Sequence, residues 1–169
     1  IGRGESYIQD VASAAVKEQV DAGRLRTTDS YDSIGDMDVI FICVPTPYNE
    51  SKAPDITFIQ NAARGIARHL HGGQLVVLQS TTYPGTTEED VLPILESSGL
   101  KAGKDFHLAF SPERVDPGNR TFTVENTPKV VGGLTRECSE LTRLLLSSMS
   151  APVHVVSSPR VAEMTKLLE

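Results

Sequence analysis

Three short apolar runs, each closed by prolines or hydroxyl side chains, constrain this chain more than any other feature. They cover residues 38–44, 74–79 and 107–110. Near-continuous apolar runs of this length are typical of strands buried on both faces of a sheet. A stretch with helical spacing, residues 57–70, lies between the first two runs. Strands that alternate with helices predict a doubly wound parallel sheet with helices on both faces, which is a three-layer α/β fold.

The remaining patterns complete this arrangement. They predict helices over residues 11–22, 86–98, 135–147 and 158–169 and strands over residues 25–28, 129–133 and 153–156. Asp10 is the expected N-cap of the first helix. Pro93 lies inside the helix predicted over 86–98 and is expected to bend it.

Composition limits the possible ligands. The 169 residues fit one domain, and 39% hydrophobic with 22% charged residues is typical of a soluble globular protein. The net charge of -6, with no cluster of lysine and arginine, argues against nucleic acid. No apolar run approaches the length that spans a membrane. The two cysteines and four histidines lack the spacing of metal ligands, so we expect no metal site.

The sequence patterns at both ends of the chain predict that it is a fragment of a longer domain. Residues 1–4 form an expected loop with no strand before it, and the last predicted helix reaches Glu169 without a stop signal. Gly2 and Gly4 do not form a dinucleotide-binding fingerprint, because a strand should precede them and a third glycine should follow.

Polar loops follow the three apolar runs. They are Pro45-Thr46-Pro47, Ser80-Thr81-Thr82 and Ser111-Pro112-Glu113. Because open α/β sheets bind ligands at the carboxyl ends of their strands, we expect these loops to share a ligand crevice. Short hydroxyl side chains offer hydrogen bonds to a flat or anionic ligand. Glu113 could act as a base or bind a ligand hydroxyl; alternatively, it is a surface glutamate on an ordinary loop.

Five motifs, in this order, resemble the nucleotide-sugar 6-dehydrogenase family, whose members are UDP-glucose/GDP-mannose dehydrogenase-like. The motifs are VPTP at 44–47, STTYPGTT at 80–87, FSPERVDPG at 110–118, NTPKVVGG at 126–133 and AEMTKLLE at 162–169. The chain resembles most the branch that acts on UDP-N-acetylglucosamine or UDP-N-acetylmannosamine. The resemblance covers almost the whole chain.

The resemblance implies how the chain is organised. Residues 1–157 would be a Rossmann-like NAD-binding domain without its first β-α-β unit, and residues 158–169 would begin the connecting helix that carries the dimer contact. The implied protein is a cytoplasmic homodimer or higher homo-oligomer that uses two NAD per turnover. It would oxidise the C6 alcohol through a cysteine thioester, for surface polysaccharide synthesis. That cysteine would lie in a second domain, so the chain alone is expected to be inactive.

The resemblance also implies roles for individual residues. Glu113 would be the base for the water that cleaves the thioester, and Lys166 would stabilise oxyanions and contact the substrate. Thr81 would order water and contact the cofactor. Cofactor contacts are also implied for Val44, Pro45, Thr46 and Ser80, and substrate contacts for Arg114, Val115 and Asp116. Without the resemblance, Lys166 would be interpreted as a solvated lysine at a helix end.

One position departs from the glucose-specific branch of the family. That branch has a second glutamate one turn after the first, where this chain has Pro117 preceded by Asp116. The departure favours an acetamido sugar over glucose and leaves open whether Asp116 takes over part of the missing acid's role. Two alternatives stay open: a truncated domain that binds but does not catalyse, and another 6-phosphogluconate-type dehydrogenase.

Overall fold

The fold is a five-stranded sheet in which spatial order follows chain order. The computed structural model describes residues 1–8, 11–48, 53–115, 121, 123, 126–149 and 152–168. The strands are Val39–Ile42 (β1), Leu75–Leu78 (β2), His107–Phe110 (β3), Lys129–Gly133 (β4) and Val153–Val155 (β5), in the order β1-β2-β3-β4-β5. Each lies within a predicted run, so these strand predictions are confirmed.

The described helices also agree with most of the predicted ones. They are Ser13–Asp21 (α1), Thr57–Ala67 (α2), Leu92–Glu96 (α3), Arg136–Ser147 (α4) and Pro159–Leu167 (α5), with a 3-10 helix at Asp32–Asp36 and a π-helical turn at Thr86–Val91. The helix predicted around Pro93 is therefore divided: a wide π turn precedes α3, and Pro93 occupies the first turn of α3, where its missing N–H costs little. No helix in the described ranges is long and apolar enough to cross a bilayer.

Two sequence predictions near the amino end differ from the structure or cannot be compared with it. The strand predicted over residues 25–28 is wrong, because this segment has no strand structure. The backbone N–H groups of Arg24 and Leu25 both turn back to the carbonyl oxygen of Gln19, at 2.9 and 3.1 Å, and so close the end of α1 instead of joining a ladder. Asp10 lies outside the described residues.

The sheet is mostly parallel, which confirms the predicted fold class, but one strand pair is antiparallel. β1, β2 and β3 are parallel, so their carboxyl ends share one edge. β3 and β4 are antiparallel, with Phe110 opposite Gly132. A parallel pair requires a crossover connection, usually a helix. No helix is described between β3 and β4. The amino end of β4 therefore lies at the edge where β1–β3 end.

Burial is uneven across the sheet. β2 and β3 are buried on both faces, as predicted, whereas β1 is an edge strand with Phe41 exposed on one face. The other face of β1 packs on α2 through a core of buried apolar side chains. This core includes Ile40, Ile42, Ile59, Ala63, Ile66, Val76, Leu78, Leu95, Leu108 and Phe110. Burial of each large side chain contributes about 1.5–3 kcal/mol to the free energy of unfolding.

Two neighbouring glycines in β4 let helices approach both faces of the sheet. A Cβ at Gly132 would collide with the carbonyl oxygen of Ser158, the N-cap of α5, and would lie 2.9 Å from the nitrogen of Pro159. A Cβ at Gly133 would lie 2.7 Å from Ser139 Oγ in α4. Because adjacent strand residues face opposite sides, α5 and α4 cover opposite faces of β4. The glycine pair thus serves helix packing in a three-layer fold.

Substitution of Gly132 by alanine should destabilise the protein strongly. The new methyl group meets backbone atoms, which cannot move aside as a flexible side chain would, so we expect the free energy of unfolding to fall by about 2 kcal/mol or more. Gly35→Ala is the matched control, since its nearest neighbour would be His69 O at 3.9 Å. Urea unfolding followed by circular dichroism measures both variants. Equal stability of the two would contradict this account of α5 docking.

Candidate active site

Glu113 lies at the centre of a polar network at the carboxyl edge of β3. Its Oε1 and Oε2 accept hydrogen bonds from Lys129 Nζ at 2.7 and 2.8 Å. Oε1 also accepts from the backbone N–H groups of Arg114 and Val115, at 2.8 and 2.9 Å. Gln79 Nε2, at the end of β2, lies 3.4 Å from Oε2. A carboxylate with this many donors is not an ordinary surface glutamate.

The surroundings of Glu113 favour its ionised form. Burial raises the pKa of this carboxyl group, but the hydrogen bonds and charge of Lys129, together with the N–H groups of Val115 and Arg114, outweigh it and hold the pKa below the usual value for glutamate. Glu113 is therefore a carboxylate at neutral pH. It can accept hydrogen bonds readily, and it is a weaker base than a free glutamate.

Lys129 was not among the residues that the sequence pointed to. It is the first residue of β4, and its side chain is only 3% exposed. A lysine at the start of a strand usually lies at the surface. The composition of β4 could have indicated a buried Lys129, because the four residues that follow it in the strand are all valine or glycine. A charged residue in a strand of that kind needs a buried partner of opposite charge.

Lys166 reaches the same loop from the last turn of α5. Its Nζ donates to the backbone carbonyl oxygen of Glu113 at 2.8 Å, across 53 residues of sequence. Lys166 is therefore not the solvated helix-end lysine of the alternative interpretation. Its neighbour Leu167 lines a nearby cavity.

Glu163 joins α5 to the loop that follows β2. Its side chain is fully buried, and its Oε2 accepts from the N–H of Gly85 at 2.5 Å. Its Oε1 accepts from the N–H and the Oγ1 of Thr87, at 2.8 and 2.6 Å. Burial raises the pKa of Glu163, while the bonds to Thr87 and Gly85 oppose that rise. This clamp fixes α5, and with it Lys166, relative to the loop that carries Thr81.

A cavity of about 240 Å³ lies between the loops that follow β1 and β2. It is lined by Thr46, Tyr48, Pro54, Thr81, Thr82, Tyr83 and Leu167. The Ser80 hydroxyl holds these loops together: it accepts from the Val44 N–H at 2.8 Å and donates to the Val44 carbonyl oxygen at 2.9 Å. The structure thus brings Thr46 and Thr81 into one cavity, and Val44 and Ser80 into the framework behind it.

The remaining predicted site residues are Arg114, Val115, Pro45 and Asp116. Arg114 and Val115 adjoin the network, where the Arg114 guanidinium donates to the carbonyl oxygen of Pro128 at 2.9 Å. Pro45 is exposed beside Thr46. Asp116 lies outside the described residues, as does Pro117. Within the described ranges, no group of three or more His, Cys, Asp or Glu side chains is arranged to hold a metal ion.

Residues 1–150 match the UDP-glucose/GDP-mannose dehydrogenase family, NAD binding domain. The chain is 39% identical over 162 residues to the UDP-N-acetyl-D-glucosamine 6-dehydrogenase of Pseudomonas aeruginosa, which covers 95% of this chain and 38% of that protein. It is 37% identical over 180 aligned positions to the UDP-N-acetyl-D-mannosamine dehydrogenase of Escherichia coli K12, with 100% of this chain and 41% of the relative covered.

A solved structure is similar over nearly the whole chain. The UDP-D-ManNAc dehydrogenase of Pyrococcus horikoshii superposes with a TM-score of 0.92 at 32% identity, covering 99% of this chain and 40% of that one. The chain therefore spans about two fifths of the length of the relatives it matches.

Glu163→Gln should destabilise the protein at pH 7. An amide can keep its oxygen toward Thr87 only by turning its NH₂ group toward the Gly85 N–H, where two donors then face each other. We expect the free energy of unfolding to fall by about 1–3 kcal/mol in urea denaturation. Glu18→Gln, whose side chain is 72% exposed, is the control and should change stability by less than about 0.5 kcal/mol. An unchanged Glu163→Gln protein would mean that the clamp does not stabilise the docking of α5.

Proposed function

The chain belongs to the UDP-glucose/GDP-mannose dehydrogenase family, and on that premise we propose that the full-length protein oxidises the C6 alcohol of a UDP-N-acetylhexosamine to the carboxylate, using NAD. One observation carries the proposal: Lys166 meets the Glu113 loop directly beside the cavity that holds Thr46 and Thr81. The names of the relatives support the choice of substrate, since they act on UDP-N-acetyl-D-glucosamine and UDP-N-acetyl-D-mannosamine.

The cavity has the chemistry that the nicotinamide half of NAD requires. Hydroxyl groups of Thr46 and Thr81 can bond a carboxamide, and the rings of Tyr48 and Tyr83 offer flat apolar surface. We assign the cofactor contacts to Thr46 and Thr81, with Val44, Pro45 and Ser80 forming the backbone wall behind them. NAD, when bound, accepts the hydride of each oxidation step.

The proposed reaction has four stages. The alcohol loses a hydride and a proton to give an aldehyde, and a cysteine thiol adds to the aldehyde to give a hemithioacetal. The hemithioacetal loses a second hydride and its hydroxyl proton to give a thioester, and water cleaves the thioester to the carboxylate and the free thiol. Neither cysteine of this chain suits the nucleophile. Cys138 is fully buried, and burial together with the negative charge of Glu113 raises the pKa of the Cys43 thiol. We therefore assign the thiol to another part of the full-length protein.

Glu113 and Lys166 have complementary roles in this scheme. The ionised Glu113 orients the attacking water and takes up its proton, and the Lys166 ammonium stabilises the oxyanions that develop on the substrate. The backbone at Arg114 and Val115, and the side chain of Asp116, are assigned to the substrate. Thr81 orders the water beside the cofactor.

We also assign the parts of this chain to the organisation of the whole protein. Residues 1–157 are assigned to the NAD-binding domain, and residues 158–169 to the start of the connecting helix. α5 exposes Val161, Met164 and Leu167, and its C-cap residue Leu168 is exposed as well. Exposed apolar side chains in one helix support a contact between two copies of the protein in a homo-oligomer. We assign the enzyme to the cytoplasm and its product to surface polysaccharide synthesis.

A panel of substrates tests the activity and the sugar. The full-length protein should prefer UDP-N-acetylglucosamine or UDP-N-acetylmannosamine to UDP-glucose by at least about tenfold in kcat/KM, roughly 1.4 kcal/mol. The reason is that this chain has Pro117 where the glucose-specific branch that it resembles has an acid. NADH absorbance measures the rate, and the 169-residue chain alone serves as the inactive control. Equal activity on UDP-glucose would contradict the sugar assignment, and no NADH with any UDP-sugar would contradict the activity.

Glu113→Gln tests the role of the carboxylate in the full-length enzyme. The amide keeps the shape but cannot accept a proton, so turnover should fall by about 10²–10⁴ while substrate binding changes little. The thioester should then accumulate and be visible by mass spectrometry as an adduct of the protein. Glu140→Gln, an exposed glutamate of α4, is the control. Normal turnover without an adduct would show that Glu113 does not activate water.

A further inference from the structure

The reversal of the chain between β3 and β4 places a buried lysine opposite Glu113. In the antiparallel register Phe110 pairs with Gly132, and continuing that register by three residues brings Lys129 opposite Glu113. The backbone N–H of Lys129 donates to Pro152 O at 3.1 Å, and its Cα partner in β5 is Val153. Lys129 is thus held by the sheet, whereas Glu113 stands on a loop.

The two charges of this pair differ in burial. The Lys129 side chain is 3% exposed and that of Glu113 is 43% exposed. Within the part of the chain that the structure describes, both hydrogen bonds of the Lys129 ammonium go to Glu113. An ammonium buried to this degree needs a negative partner, so Lys129, fixed in β4, determines where the Glu113 carboxylate points.

Four other titratable or charged groups surround the carboxylate. Arg114 is the next residue on the loop, and Lys166 bonds the backbone oxygen of Glu113 from α5. Cys43, after β1, donates a hydrogen bond from its thiol to Gln79 Oε1 at 3.2 Å. Gln79 Nε2 in turn lies 3.4 Å from Glu113 Oε2. Lys129, from β4, is the cation that touches both carboxylate oxygens.

We propose that Lys129 is a positioning residue for Glu113: its buried ammonium bonds both carboxylate oxygens and so fixes the direction in which the carboxylate points. This role rests on the proposed function, in which Glu113 handles water. The lysine acts through the carboxylate, and the charge that it supplies extends the working range of the enzyme toward low pH.

The direction in which the pKa of Glu113 should change on removal of Lys129 follows from the opposite charges of the two groups. Removal of a cation at hydrogen-bond distance makes a carboxylate easier to protonate, so its pKa rises. In Lys129→Met the acid limb of the kcat–pH profile should therefore move to higher pH, by about 1–3 units. Lys129→Arg keeps the charge and should keep the limb near its wild-type position. Lys104→Met, at an exposed lysine, should behave as wild type.

The experiment uses the full-length protein and measures two quantities. The first is kcat against pH for wild type, Lys129→Met, Lys129→Arg and Lys104→Met. The second is the titration of the Glu113 carboxyl carbon by ¹³C NMR, assigned by its loss in Glu113→Gln. The second measurement needs no turnover, so an inactive enzyme with the expected carboxyl titration would refute the proposed function while supporting the role of Lys129.

Three results would overturn the role of Lys129. They are a Glu113 titration in wild type at or above the ordinary value for glutamate, an acid limb that does not move in Lys129→Met, and a limb that moves as far in Lys129→Arg as in Lys129→Met. If Lys129→Met does not fold, the wild-type titration and the Lys129→Arg profile decide the question. Normal turnover with an unmoved carboxyl titration would refute the role of Lys129 and leave the proposed function standing.

Discussion

The antiparallel pairing of β3 with β4 is the constraint on which the site depends. A crossover helix would have returned the chain in the parallel direction and placed the start of β4 at the opposite edge of the sheet. The antiparallel strand instead brings Lys129 beside Glu113, and the following Gly132 and Gly133 accept α5 and α4 on opposite faces. One change of direction thus positions the cation, the carboxylate loop and the helix that carries Lys166.

Two buried ionisable side chains, Lys129 and Glu163, support this arrangement, and their hydrogen-bond partners differ in kind. Lys129 is neutralised by an opposite charge, whereas Glu163 is held by two backbone N–H groups and a hydroxyl. Breaking either set leaves a charge with little solvent to replace its partner, which is costly in protein interiors. Both sets link segments that are distant in the sequence, so they stabilise tertiary positions more than local structure.

The sequence predicted the elements better than it predicted the partners. β2 and β3 were recognisable because a continuous apolar run has few alternatives in a chain of this composition. The strand at residues 25–28 was wrong because a short pattern does not reveal whether a neighbouring strand is there to pair with it. Lys129 and Glu163 were missed because their partners lie 16 and 76–78 residues away, and no spacing rule links such positions. The family motifs pointed to Glu113 and Lys166, but the contact between them is visible only in the folded chain.

The Glu163 clamp has a consequence for how opening of this region could be detected. The amide hydrogens of Gly85 and Thr87 are held by a carboxylate that belongs to α5 and not to their own segment. Their exchange with solvent deuterium therefore requires α5 to move away, even if the π turn that they begin stays folded. These two amides therefore report the undocking of α5, the same movement that would separate Lys166 from Glu113 on the loop after β3.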